Sequence, residues 1–104
     1  MLTVETRHAI DPATAKGLDT AGLRSHFHAS GLFADGEIRL VYTHYDRLIL
    51  GGAVPGAGKL TLDHVKETGT ASILERREMG ILNIGDSGTV SAGGTDYTVN
   101  KGDV

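Results

Sequence analysis

Two stretches of this sequence carry side chains whose types and spacing could do chemistry. His44 and Asp46 stand two apart in Tyr42-Thr43-His44-Tyr45-Asp46-Arg47, so on an extended backbone they share a face with Tyr42. An imidazole oriented by a carboxylate can act as a general base; it can equally be a hydrogen-bonded histidine at a strand end. Further on, Glu75-Arg76-Arg77-Glu78 sets four charges in a row. On a strand, Arg76 and Glu78 would face one way and Glu75 and Arg77 the other. A barrel-lining face would then receive at least one arginine and one carboxylate, and unpaired buried charge is costly. The run is therefore either a cross-face ion-pair network, or the source of an arginine whose planar fork of donors grips a carboxylate. Arg47, beside Asp46, is a second candidate for that grip. The candidate catalytic pair is thus His44 and Asp46, and the candidate ligand-binding residues are Arg47, Arg76 and Arg77.

The remaining polar groups narrow the choice of chemistry. His26 and His28 lie two apart in a helical stretch, where they do not share a face. His8 and His64 fall in loop-like stretches with no partner nearby in sequence. There are no cysteines, which excludes disulfides and thiolate metal sites. Gly56-Ala57-Gly58-Lys59 fails as a phosphate loop, because Ala53 stands where a glycine is required and Leu60 follows the lysine. Gly51-Gly52 precedes no helix, and no G-x-S-x-G elbow occurs. A net charge of -3 without a basic stripe argues against a nucleic-acid partner. No apolar run reaches the length of a bilayer span and the first residues lack a signal-peptide core, so a soluble cytoplasmic protein with no membrane partner is expected.

These residues need elements to position them. At 104 residues, with 39% hydrophobic and 22% charged, the chain suits one globular domain with a modest core. Asp11-Pro12 predicts the start of a short helix that Gly17 breaks. Thr20 predicts a second cap, with Leu23 and Phe27 on one face and Ser30-Gly31 as the end. From Glu37 the pattern turns to period two. Ile38, Leu40 and Tyr42 alternate with polar neighbours; Arg47 to Val54 reads as a second strand, closed by Pro55-Gly56-Ala57-Gly58, and Lys59 to Leu62 as a third. Ala71 to Ile84 reads as one bent strand or as two joined at Gly80. Thr89 to Ser91 and Thr95 to Val99 form a hairpin across Gly93-Gly94. The expected fold is mainly β, with a helical or irregular lead-in over residues 1–36 and a partial barrel of six or seven antiparallel strands over residues 37–104. With an edge left unpaired after Val99, the chain reads as truncated, or as borrowing strands from another copy.

Several blocks, taken together, resemble the 4-deoxy-L-threo-5-hexosulose-uronate ketol-isomerase family. They are Leu18-Asp19-Thr20 with Leu23-Arg24 and Phe27; Tyr42-Thr43-His44 with Asp46-Arg47, Gly51-Gly52 and Pro55; and Leu74-Glu75-Arg76-Arg77-Glu78 with Gly80 and Asn83-Ile84-Gly85. The resemblance implies a cupin jelly-roll, here the N-terminal half of a two-cupin chain. It implies isomerisation of a keto-uronate in pectin breakdown, zinc held by the C-terminal cupin, and a homohexamer. On that reading, one of the arginines would meet the uronate carboxylate. The alternative is a metal-free cupin module for sugar-acid binding or oligomer assembly.

A catalytic zinc takes about three protein ligands and keeps one open position. Cupins supply histidines at G-x5-H-x-H ahead of E-x6-G, and Glu78 and Gly85 fit the closing spacing. Counting back, the histidine positions fall on Ala71 and Ile73, or on Ser72 and Leu74, none of which coordinates zinc. No metal is expected in this segment.

Overall fold

Ile38-Arg39-Leu40-Val41-Tyr42-Thr43 joins β-branched and aromatic residues in a run that favours pleated backbone. In the computed structural model, which describes residues 1–104, this run is the central strand of a three-stranded sheet. We number the strands β1 (Leu2–Arg7), β2 (Ile38–Thr43) and β3 (Ile49–Ala53), with order β1-β2-β3. β3 pairs antiparallel to β2, from Ile38 opposite Ala53 to Tyr42 opposite Ile49. β1 pairs parallel to it, from Leu2 opposite Ile38 to Arg7 opposite Thr43. A second, separate sheet is the antiparallel hairpin of β4 (Gly88–Ala92) and β5 (Thr95–Val99), turning at Gly93-Gly94 with both φ angles positive.

The parallel strand departs from the expected all-antiparallel pattern. Parallel neighbours need a crossover, and the helices occupy it. α1 (Pro12–Lys16) is capped by Asp11, whose carboxylate accepts from the Thr14 amide at 2.7 Å and the Thr14 hydroxyl at 2.9 Å. The Thr14 amide holds the Asp11 carboxyl below its ordinary range. The cap therefore persists above that range and is lost as pH falls through the lowered value. α2 (Thr20–Phe27) is capped by Asp19, which accepts from Gly22, so Thr20 is its first residue instead of its cap. It ends at His28, before Ser30-Gly31.

β2 is buried on both faces. On one side Ile38 and Leu40 join Val65 and Ile73 in the core, flanked by Val4, Ile49, Leu60 and Leu62. On the other, Val41 and Thr43 meet Phe27 and Ala29 across a small apolar cavity. Arg7 and Arg39 fasten this second layer. Each pairs with the glutamate two residues before it, Glu5 at 2.8 Å and Glu37 at 2.6 Å. Each also donates to a carbonyl of the chain leaving α2, His28 at 2.6 Å and Gly31 at 2.9 Å.

The strands expected at Lys59–Leu62 and over 71–84 are absent, and β1 forms in the stretch expected to be helical or irregular, so the chain has five strands instead of six or seven. The alternation of Leu60 and Leu62 comes from packing over the sheet face, not from a ladder. Residues 71–84 find no partner strand either. Ile73 drops into the core with its amide bonded to Asp63, and a turn follows at Ser72 to Glu75. The ion-pair network expected for Glu75 to Glu78 does not form within the chain, whose two salt bridges are those of Arg7 and Arg39. Lower down, the Asn83 side-chain amide donates to Asp86 and Val99, and its backbone bonds to Gly102 and Asp103, tying this segment to the hairpin.

Gly52 sits where β3 passes under the chain that follows α2. A Cβ there would lie 2.5 Å from the Leu32 carbonyl oxygen and 3.0 Å from the Phe33 ring, whereas one at Gly88 would meet nothing within 4 Å. Gly52→Ala is expected to cost about 1–3 kcal/mol of unfolding free energy. Gly88→Ala should stay within about 0.5 kcal/mol. Urea denaturation of the two variants checks the difference.

Candidate functional site

The parallel register that sets Arg7 beside Thr43 continues one step further: the His44 amide donates to the Arg7 carbonyl at 3.0 Å. His8 and His44 are thereby brought side by side, their rings stacked with centroids 4.5 Å apart and planes 9° from parallel. Tyr42, two residues before His44, meets it edge-on at 5.4 Å. The Arg77 guanidinium lies over the Tyr42 ring, 5.6 Å from its centroid, a cation–π arrangement. Four side chains from three separate stretches thus meet at the core-facing edge of the sheet.

The turn beside them is under strain. Leu48 donates back to the Tyr45 carbonyl at 3.0 Å, with Asp46 and Arg47 between them at φ 50° and 60°. Two positive φ angles closed by that bond describe a type I′ turn, which favours Asn-Gly or Gly-Gly. Asp tolerates the left-handed region; Arg gains nothing there. Three bonds hold the geometry. Arg77 donates from Nη1 to the Arg47 carbonyl at 2.5 Å. The Thr43 hydroxyl donates to the Leu48 carbonyl at 2.6 Å. The Tyr45 hydroxyl accepts from the Ile10 amide at 3.2 Å.

The candidate residues therefore fall into two groups. His44 and Arg77 both meet the Tyr42 ring, and Arg47 joins them through its backbone carbonyl. Asp46 belongs to the turn instead of the strand, so it loses the parity with His44 that an extended backbone would give, and no hydrogen bond joins the two. Arg76 is exposed and makes no salt bridge. Of the three arginines, Arg77 is committed to a carbonyl and a ring, while Arg47 is exposed. Sequence reading missed His8. The signal was present in Leu2-Thr3-Val4-Glu5-Thr6-Arg7, whose alternation matches a strand that would carry His8 to the end of β2.

The remaining histidines go elsewhere. His26 lines the apolar cavity with Phe27, whereas His28 lines an open polar cavity with Arg7, Ala21, Arg24, Ser25 and Ser30. His64 Nδ1 lies 3.1 Å from the Thr70 carbonyl. The donor set does not fit a catalytic zinc. No three His, Asp or Glu side chains converge, and Ile73 is 5% exposed in the core. No helix is long and apolar enough to cross a membrane.

No protein-family model matches the chain. Among curated proteins, it is 65% identical over all 104 residues to the 4-deoxy-L-threo-5-hexosulose-uronate ketol-isomerase of Agrobacterium fabrum, covering 38% of that protein. It is 64% identical to the protein of the same name from Cereibacter sphaeroides, again covering 38% of it. The protein of that name from Halalkalibacterium halodurans is 46% identical over 100 residues, 96% of this chain and 36% of the relative. The chain spans a little over a third of the length of the relatives it matches. Sustained from one end of the chain to the other, this identity makes residues 1–104 similar throughout to part of the 4-deoxy-L-threo-5-hexosulose-uronate ketol-isomerases.

Proposed function

We propose that this chain is the N-terminal part of an isomerase interconverting 5-dehydro-4-deoxy-D-glucuronate and 3-deoxy-D-glycero-2,5-hexodiulosonate in pectin and uronate catabolism. The observation that carries this is the 64–65% identity, over every residue, to proteins named as that ketol-isomerase. Isomerisation of this kind moves a proton or hydride between adjacent carbons, and a zinc supplied by another part of the longer protein would polarise the oxygens involved. Within this chain, Arg47 is our candidate to hold the substrate carboxylate, because its side chain is exposed and without a salt bridge, and its carbonyl is held by the Arg77 that lies over Tyr42.

The fold would be one cupin jelly-roll of two, completed by polypeptide beyond these residues, in a cytoplasmic homo-oligomer of six copies. Exposed apolar side chains support this. Met79, Ile81, Leu82 and Ile84 form one exposed run, and Tyr97 is exposed on the hairpin. A run of that kind is more than a lone domain ordinarily leaves in water. The radius of gyration agrees: 15.6 Å, against about 13 Å for a compact domain of this length.

The isolated 104-residue chain is expected to show no turnover of the keto-uronate, while the longer protein containing it turns over and loses activity to a zinc chelator. Turnover by the isolated chain would sink this division of labour. Absence of any activity from the longer protein would instead favour a metal-free cupin module for binding or assembly. A second test uses the strained turn. Arg47→Gly is expected to raise unfolding free energy by about 0.5–1 kcal/mol, relief of left-handed strain outweighing the entropy of glycine. The same change should lower kcat/KM at least roughly tenfold, as loss of a charged hydrogen bond does. A variant that is stabilised and fully active would remove Arg47 from the substrate site.

A further inference from the structure

We propose that the cavity between α2 and the end of β1 is a binding site for a small oxyanion, a carboxylate or a phosphate. It lies on the opposite side of the sheet from His44, and the proposal does not depend on the isomerase reading. Ala21, Arg24, Ser25 and His28 recur at the spacing of one helical stripe, and with Arg7 and Ser30 they line an open cavity of about 770 Å³. That volume lies within the range of small-molecule sites.

The composition of the stripe is the unusual feature. A short helix packed on a sheet normally turns apolar residues inward. In α2 only Phe27 leans toward the sheet, about half exposed, with its ring centroid 6.0 Å from that of Tyr45. Along the neighbouring stripe the helix carries a guanidinium, a hydroxyl and an imidazole instead. The lining includes no carboxylate, so the donors of Arg24, Ser25 and Ser30 have no acid to receive them. Arg7 is already fixed: Nε is paired with Glu5 and Nη1 bonded to the His28 carbonyl, which leaves Nη2 as a pre-oriented donor. Arg24 is exposed and makes no salt bridge. Glu5 already offsets the charge of Arg7, so Arg24 is the guanidinium of this concavity that has no acidic partner. The negative end of the α2 dipole opposes an anion here, but that effect is screened and confined to the last turn, and is weaker than charge-assisted bonds from two arginines.

Modification of arginines in the intact protein by phenylglyoxal, mapped by peptide mass spectrometry at constant ionic strength, tests the site. Inorganic phosphate, D-glucuronate and D-glucose serve as separate protectants, with exposed Arg76 as the internal reference. At least threefold slower modification of Arg24 with phosphate or glucuronate, and none with glucose, is expected. Protection by phosphate alone identifies a phosphate ligand, and by glucuronate alone a sugar carboxylate. Equal rates at Arg24 under all three, or equal protection of Arg76, overturn the proposal. By calorimetry, Arg24→Gln should weaken the protecting anion at least tenfold, and unchanged affinity also overturns it. Turnover assayed in parallel bears only on the isomerase reading, so the two can fail separately.

Discussion

β2 has both hydrogen-bonding edges occupied and both faces covered, and every other placement in the first 80 residues follows from it. Its amides and carbonyls are satisfied by β1 on one side and β3 on the other, so the strand can be buried without orphaned backbone groups. Because β1 runs parallel, the chain must travel back along the sheet before pairing, and α1 and α2 make that return. Neither helix is long enough to persist alone. Their hold on the sheet comes from Phe27 packing near Tyr45 and from the two arginines that reach the carbonyls after α2. Arg7 and Arg39 are therefore structural ties, each with its charge offset by a glutamate on the same strand face.

The same strand ends in the strained turn. A positive φ at a non-glycine residue persists only where the surroundings over-determine it, and here bonds from Arg77, Thr43 and Tyr45 do so. Arg77 consequently acts on Arg47 through the backbone. Their contributions cannot be additive: removing Arg77 frees the carbonyl that fixes where the Arg47 side chain emerges, as expected of residues sharing one network.

Much of the fold was legible in the sequence, and the misses share a cause. Alternation found β2, β3 (overrun into the turn at Arg47) and the hairpin, and capping chemistry found both helices, because those signals are local. The absence of a ladder at Lys59–Leu62 and at 71–84 was not legible, since period two also arises when a chain lays alternate side chains onto a sheet face. Glu75 to Glu78 was read as part of the strand over 71–84, yet Ile73 enters the core and Arg77 lies over Tyr42. Parallel pairing joins residues some 36 positions apart, and no local pattern specifies that register. His8 stayed invisible as a partner of His44 for that reason, whereas His44, Arg47 and Arg77 were singled out by residue type and spacing.

That register also explains how one strand end can serve two places. Successive side chains on β1 point to opposite faces. Arg7 enters the cavity beneath α2, and His8, the next residue, stacks on His44 over the other face. Thr43 and His44 divide in the same way on β2, Thr43 toward the apolar layer and His44 toward the rings. A one-residue slip between β1 and β2 would exchange these positions, placing an imidazole against the α2 layer and a guanidinium against the rings. Arg7 resists that slip, because its bond to the His28 carbonyl forms only when it faces α2. The residue that orders the cavity on one side of the sheet thereby sets the stacking of His8 and His44 on the other.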